Sequence, residues 1–198
     1  MRGLVRTAEF QIAILAVCVG LAWAIELADQ LFFGQTLDRF GIRPRSLAGL
    51  WGIGAAPLLH GGWAHLMANT LPFLVLAWLV MLRRTRDFFL VTAIVVLLGG
   101  LGVWLLAAPG TVHIGASGLI FGYVGYLLGR GYFERSFGSI ALALLVAVVY
   151  GSVLWGVLPG QRGISWEGHL TGFLAGILAA KLLARQRRGS NAPALARS

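Results

Sequence analysis

Lysine is nearly missing from this chain: Lys181 is the only one among 16 basic residues, and the rest are arginine. Acidic residues number just 7, and charged residues of both signs make up 12% of the chain, against roughly 25% in a soluble domain. With 58% hydrophobic residues and a mean hydropathy of +0.82, a water-soluble globular class is excluded and an integral membrane protein is expected. Cysteine is scarcer still. Cys18 stands alone, which excludes an intrachain disulfide and any multi-cysteine metal site. Its apolar setting makes it a small packing residue.

The formal net charge is +9, which in a soluble protein would point to nucleic acid. Here the arginines are scattered between apolar runs, so membrane orientation and anionic headgroups account for them and no nucleic-acid partner is expected. Apolar runs fit for about 30 Å of hydrocarbon fall at 9–31, 63–82, 88–107, 117–129, 138–157 and 166–184, the fourth being short. Helices are required, because a lone strand leaves its backbone unsatisfied in lipid. The expectation is an all-α membrane protein: a bundle of six transmembrane helices covering 9–186, a cytoplasmic segment 1–8 and a disordered cytoplasmic tail 187–198. Arg2 and Arg6 before an apolar run resemble a secretory signal, but the run continues to Phe33, so an uncleaved first span is expected.

The remaining cations set the orientation. Arg2, Arg6, Arg83, Arg84, Arg86, Arg130, Arg135, Lys181, Arg185, Arg187 and Arg188 fall on one side. Arg39, Arg43, Arg45 and Arg162 fall on the other. The positive-inside rule then puts both termini in the cytoplasm. Two connections are unusual. The first external loop, 32–62, is long and carries Phe40, Leu47, Leu50 and Trp51, so it is expected to lie partly in the outer leaflet. The segment 108–116 is uncharged and glycine-containing, and is expected to re-enter the membrane and deliver Ser117 to the fourth span.

Counting helical rise from the arginine side gives each polar residue a depth. Ser117 lies ~20 Å above Arg130, His169 ~18 Å above Lys181 and Asn69 ~21 Å above Arg83. His65 is one turn further out, at ~27 Å. Serine in a membrane helix is commonly a packing residue, but intramembrane histidine is a functional signal by default. Gly118, Gly122, Gly125 and Gly129 in the fourth span, and Gly168, Gly172 and Gly176 in the sixth, let two helix backbones approach closely. Close approach is what a hydrogen bond from serine to histidine needs.

These residues carry a resemblance. Gly115-Ala116-Ser117-Gly118, His65-x-x-x-Asn69 and Gly168-His169-x-x-Gly172, on the second, fourth and sixth spans, make the chain similar to the rhomboid intramembrane serine proteases. The resemblance implies Ser117 as nucleophile, His169 as general base and then acid, and His65 and Asn69 with the Ser117 N–H as an oxyanion hole. It implies no metal and no cofactor, and substrates that are themselves membrane proteins, cut near the external face; the dominance of arginine over lysine and the compact core point to a bacterial plasma membrane. No acid stands behind His169: Glu167 is on another face of its helix. The imidazole is therefore expected to be oriented by packing, with Phe121, one turn after Ser117, supporting the ring. Many members of that family have tyrosine there. His60 and His113 are expected to pin loops.

Two other readings compete: a metal-binding or transport protein, since four histidines are present, and a non-catalytic relative acting as a scaffold. The first lacks acidic or sulfur ligands beside the histidines, and the second has to explain a full set of site residues. Substrate identity and oligomeric state are not legible.

Overall fold

The computed structural model describes residues 2–161 and 163–190; Arg162 and the 191–198 part of the tail lie outside them. Among the described residues every regular element is helical, and the one β feature is an isolated antiparallel bridge between Ile42 and His113. Helix α1 spans Arg2–Ala28 and winds on through a wider turn, Asp29–Phe33. Helix α2 is Trp63–Met81, and α3 runs Thr85–Leu106 with a π-helical stretch at Val95–Gly99. Then follow α4, Ser117–Glu134; α5, Phe137–Tyr150 with a 3-10 extension Gly151–Val157; and α6, Trp166–Ser190.

Four helical stretches are long and apolar enough to cross a membrane: Gly3–Phe33, Trp63–Met81, Thr85–Leu106 and Phe137–Val157. Helices α4 and α6 are not among them, and for α4 packing supplies the reason. Every residue of α4 from Leu119 to Leu127 is buried, so this helix meets protein on all sides and has little need of a lipid-facing surface. Around it Leu76, Val80 and Met81 of α2, Val91 of α3 and Ala179 of α6 are wholly buried with Tyr123. The Tyr123 hydroxyl is within 2.7 Å of Thr92 Oγ1, which gives a buried phenol its partner.

Helix α1 is tied to this core by side-chain donors: Gln11 Nε2 to the Met81 carbonyl at 3.2 Å and Trp23 Nε1 to Thr70 Oγ1 at 3.1 Å. Helix α5 stands apart, with only Ser139 and Val146 buried along its α-helical length. Its start is set by a reciprocal Ser136–Ser139 capping box, which satisfies orphan N–H groups at the first turn.

The loop 34–62 folds over the end of α3. Arg45 Nη2 donates to the Ala107 carbonyl at 2.7 Å, and Trp104 Nε1 donates to the Ser46 carbonyl at 2.9 Å. Phe40, Leu47 and Trp51 remain exposed. Asp38, near the start of this loop, has one carboxylate oxygen buried without a partner. Burial, with Asp29 and Glu26 close by, pushes its pKa up to about 6.

The opposite end carries an ion-pair network. Glu134 accepts from Arg130 Nε at 3.0 Å and also from Arg83 and Arg187. Arg187 donates to buried Asp87 as well. Helix α6 runs on to Ser190, and Arg187 near its end is paired to carboxylates on α3 and α4.

Candidate active site

Ser117 is the first residue of α4, so its N–H belongs to a helix turn with no intrahelical acceptor. The residues before it hold it there. Gly115 has φ +102, and a Cβ at that position would come 2.6 Å from His65 Nε2, so both conformation and space call for glycine. Its N–H donates to the Ala56 carbonyl at 2.8 Å. The next N–H, of Ala116, donates to buried His60 Nε2 at 3.4 Å.

His169 lies on the first turn of α6, and the two helices meet along their glycines. A Cβ at Gly172 would stand 2.1 Å from the Gly118 carbonyl oxygen, and one at Gly176 would stand 1.9 Å from that of Gly122. At that separation Ser117 Oγ and His169 Nε2 are 2.9 Å apart. The other ring nitrogen, Nδ1, is 2.9 Å from the Gly156 carbonyl oxygen. A carbonyl only accepts, so Nδ1 carries the proton and Nε2 is the bare nitrogen that accepts the serine O–H. Phe121 lies flat against the imidazole, centroids 4.0 Å apart and planes within 7°.

Sequence reasoning gave the imidazole no polar partner and left its orientation to packing. The structure corrects this: stacking on Phe121 is joined by a backbone acceptor. Gly156 carried no signal in the sequence, since every residue has a carbonyl. Its lack of a side chain matters, because a Cβ there would come 2.9 Å from Phe121 and 3.0 Å from His169 Nδ1.

On the other flank of Ser117, His65 Nδ1 accepts from the Gly61 N–H at 3.2 Å. Its proton therefore sits on Nε2, on the side facing Gly115. Asn69 is buried and spends one amide hydrogen on the His65 carbonyl at 2.9 Å, leaving the second available. A small cavity of ≈ 60 Å³ adjoins Ser117, Gly118 and Gly168, with room for a few waters.

His113 and Ser165 join the segment before α4 to the start of α6. Thr111 Oγ1 donates to the Ala108 carbonyl at 2.6 Å and is 2.8 Å from His113 Nε2. Ser165 Oγ is 2.6 Å from His113 Nδ1 and accepts the Gly168 N–H at 3.2 Å. The consistent assignment runs Ser165 O–H to Nδ1 and Nε2–H to Thr111. Ser165 thus caps the helix that carries His169 while gripping the loop that leads to Ser117. It was legible as a serine just before a helix, yet sequence reasoning passed it over. Ser165→Ala is expected to cost about 1 kcal/mol of stability for the lost cap, with a several-fold drop in turnover. Thermal unfolding alongside kcat checks both. Gly168 sits directly over this cap, where a Cβ would meet Ser165 Oγ at 2.8 Å.

Among the described residues no three His, Cys, Asp or Glu side chains gather as a metal site would require.

The rhomboid-domain family model matches residues 48–186, most of the chain, and the protein belongs to the rhomboid family. With its long apolar helices, it is an integral membrane protein. It is 50% identical over 182 residues to an uncharacterised protein of Mycobacterium bovis, covering 88% of this chain and 75% of that one. A putative rhomboid protease of Bacillus subtilis is 29% identical over 140 residues, 69% of each chain. A rhomboid-like protease of Toxoplasma gondii is 31% identical over 134 residues, 65% of this chain and 15% of that one.

Proposed function

We propose that the protein is an intramembrane serine endopeptidase that cuts transmembrane or juxtamembrane segments of other membrane proteins near the external face. The observation that carries this is the 2.9 Å contact from Ser117 Oγ to His169 Nε2, with Nδ1 committed to the Gly156 carbonyl. As Ser117 attacks the scissile carbonyl, its proton passes to Nε2, and the imidazolium that forms is stabilised by Gly156 and the Phe121 face. His65 Nε2–H, the free Asn69 amide hydrogen and the Ser117 N–H receive the oxyanion. The imidazolium then returns its proton to the leaving amine. A water from the adjoining cavity, deprotonated by Nε2, releases the acyl enzyme.

In this reading α1 to α6 are six spans, with 1–8 and the tail in the cytoplasm of a bacterial plasma membrane. Burial of α4 supports counting it as a span despite its hydropathy. The segment 108–116 re-enters the membrane, supported by its uncharged sequence and its tether to Ile42. Substrate enters laterally beside α5, the least buried helix.

A fluorophosphonate probe tests the dyad directly. It is expected to label Ser117 covalently, with no sensitivity to chelators and with labelling lost in His169→Ala. Labelling that survives Ser117→Ala, or that chelation abolishes, sinks the assignment.

A further inference from the structure

At the arginine-rich end, remote from Ser117, a cavity of ≈ 990 Å³ opens between the end of α4, the first half of α5 and the end of α6. Its polar end is lined by Arg83, Arg130, Arg187 and Arg188 with a single carboxylate, Glu134. Counting Asp87, which shares Arg187, the cations still outnumber the carboxylates. One donor is left over: Arg130 is a buried residue, and its Nη1 has no hydrogen-bond partner. A buried guanidinium N–H without an acceptor is costly, and an incoming oxyanion satisfies it. Converging guanidinium forks suit the tetrahedral oxygens of phosphate.

The other wall of the cavity is apolar. Ala141, Leu142 and Leu145 of α5 line it, and Leu145 stands ~9 Å along the helix from Ser139, toward the middle of the bundle. Leu145 is also largely exposed at the surface. Cationic at the base and apolar above, the cavity has the polarity of one phospholipid. Basic pockets between transmembrane helices on the cytoplasmic side hold such headgroups.

We propose that this cavity binds the phosphate of an anionic phospholipid, with an acyl chain lying along Leu142 and Leu145. Bound there, the lipid bridges the loosely packed α5 to α4 and α6. The site does not depend on the protease reading.

The test uses the full chain purified in neutral detergent and titrated with phosphatidylglycerol, phosphatidylcholine or inorganic phosphate, with bound species counted by native mass spectrometry. One phosphatidylglycerol per chain is expected to bind in preference to phosphatidylcholine. Arg130→Gln and Arg188→Gln are each expected to weaken it about tenfold, the loss of one charged hydrogen bond. Arg188 donates to the Phe133 carbonyl rather than to Glu134, so its variant keeps the test open if Arg130→Gln fails to fold. Arg185→Gln removes an exposed charge outside the cavity and is expected to change nothing. Equal weakening by Arg185→Gln means diffuse surface attraction and overturns the proposal. So does equal retention of phosphatidylcholine, or inorganic phosphate occupying the site at the same concentration as the lipid.

Discussion

Ser117→Ala is expected to lower cleavage of a reporter transmembrane segment by about a million-fold, with the unfolding midpoint nearly unchanged. The substitution removes the proposed nucleophile but little packing: Ser117 is half-buried, and its hydroxyl bonds to His169. Neither the glycine seam nor the Gly115 turn depends on that oxygen. His169→Ala is expected to cost as much, and the double variant little more than either alone, because two groups that act as one unit do not add. What survives is the weak acceleration left by an oxyanion site and bound substrate. Cleavage of the reporter at more than about a hundredth of the wild-type rate by Ser117→Ala, well above that remainder, would remove Ser117 from the mechanism.

Gly172→Ala is expected to damage stability and turnover together. The added methyl would stand 2.1 Å from the Gly118 carbonyl oxygen, and a helix backbone cannot swing aside as a side-chain tip can. The helices must part or slide by about 1 Å, at a cost of about 1–3 kcal/mol or more. Gly118 follows Ser117 directly, so the same displacement stretches the serine–histidine contact past hydrogen-bonding range. A misplacement of that size costs roughly a hundredfold in rate. Gly20→Ala is the companion measurement, since a Cβ there meets nothing within 4 Å; it is expected to be harmless. A Gly172→Ala protein with the wild-type unfolding midpoint and kcat would contradict a seam this tight.

Polar residues in apolar runs made Ser117, His169, His65 and Asn69 legible, because lipid tolerates such groups only for a reason. Depth counting puts Ser117, His169 and Asn69 near one level and His65 one turn further out, since rise per residue accumulates predictably along a helix. What stayed hidden had no side-chain signature. The Gly156 carbonyl that meets His169 lies in the 3-10 stretch at the end of α5, and neither that stretch nor the π-helical Val95–Gly99 has a signature in the sequence. In the structure Thr171 Oγ1 lies 2.9 Å from the Gly99 carbonyl, a contact that no periodicity foretells. Arg187 was hidden for another reason. A basic, polar stretch reads as a solvated tail unless its carboxylate partners, distant in sequence, are known to be near.

Helix α4 meets its main partner only after α5 and two loops have intervened, and that partner is the last described helix. Ser117 and its supporting turn are thus synthesised well before His169. Until α6 docks along the glycines, Ser117 has no base at its side and stays an ordinary alcohol. In the proposed mechanism, the nascent chain thus carries Ser117 in chemically silent form. In that mechanism, completion of the bundle and onset of reactivity are one event.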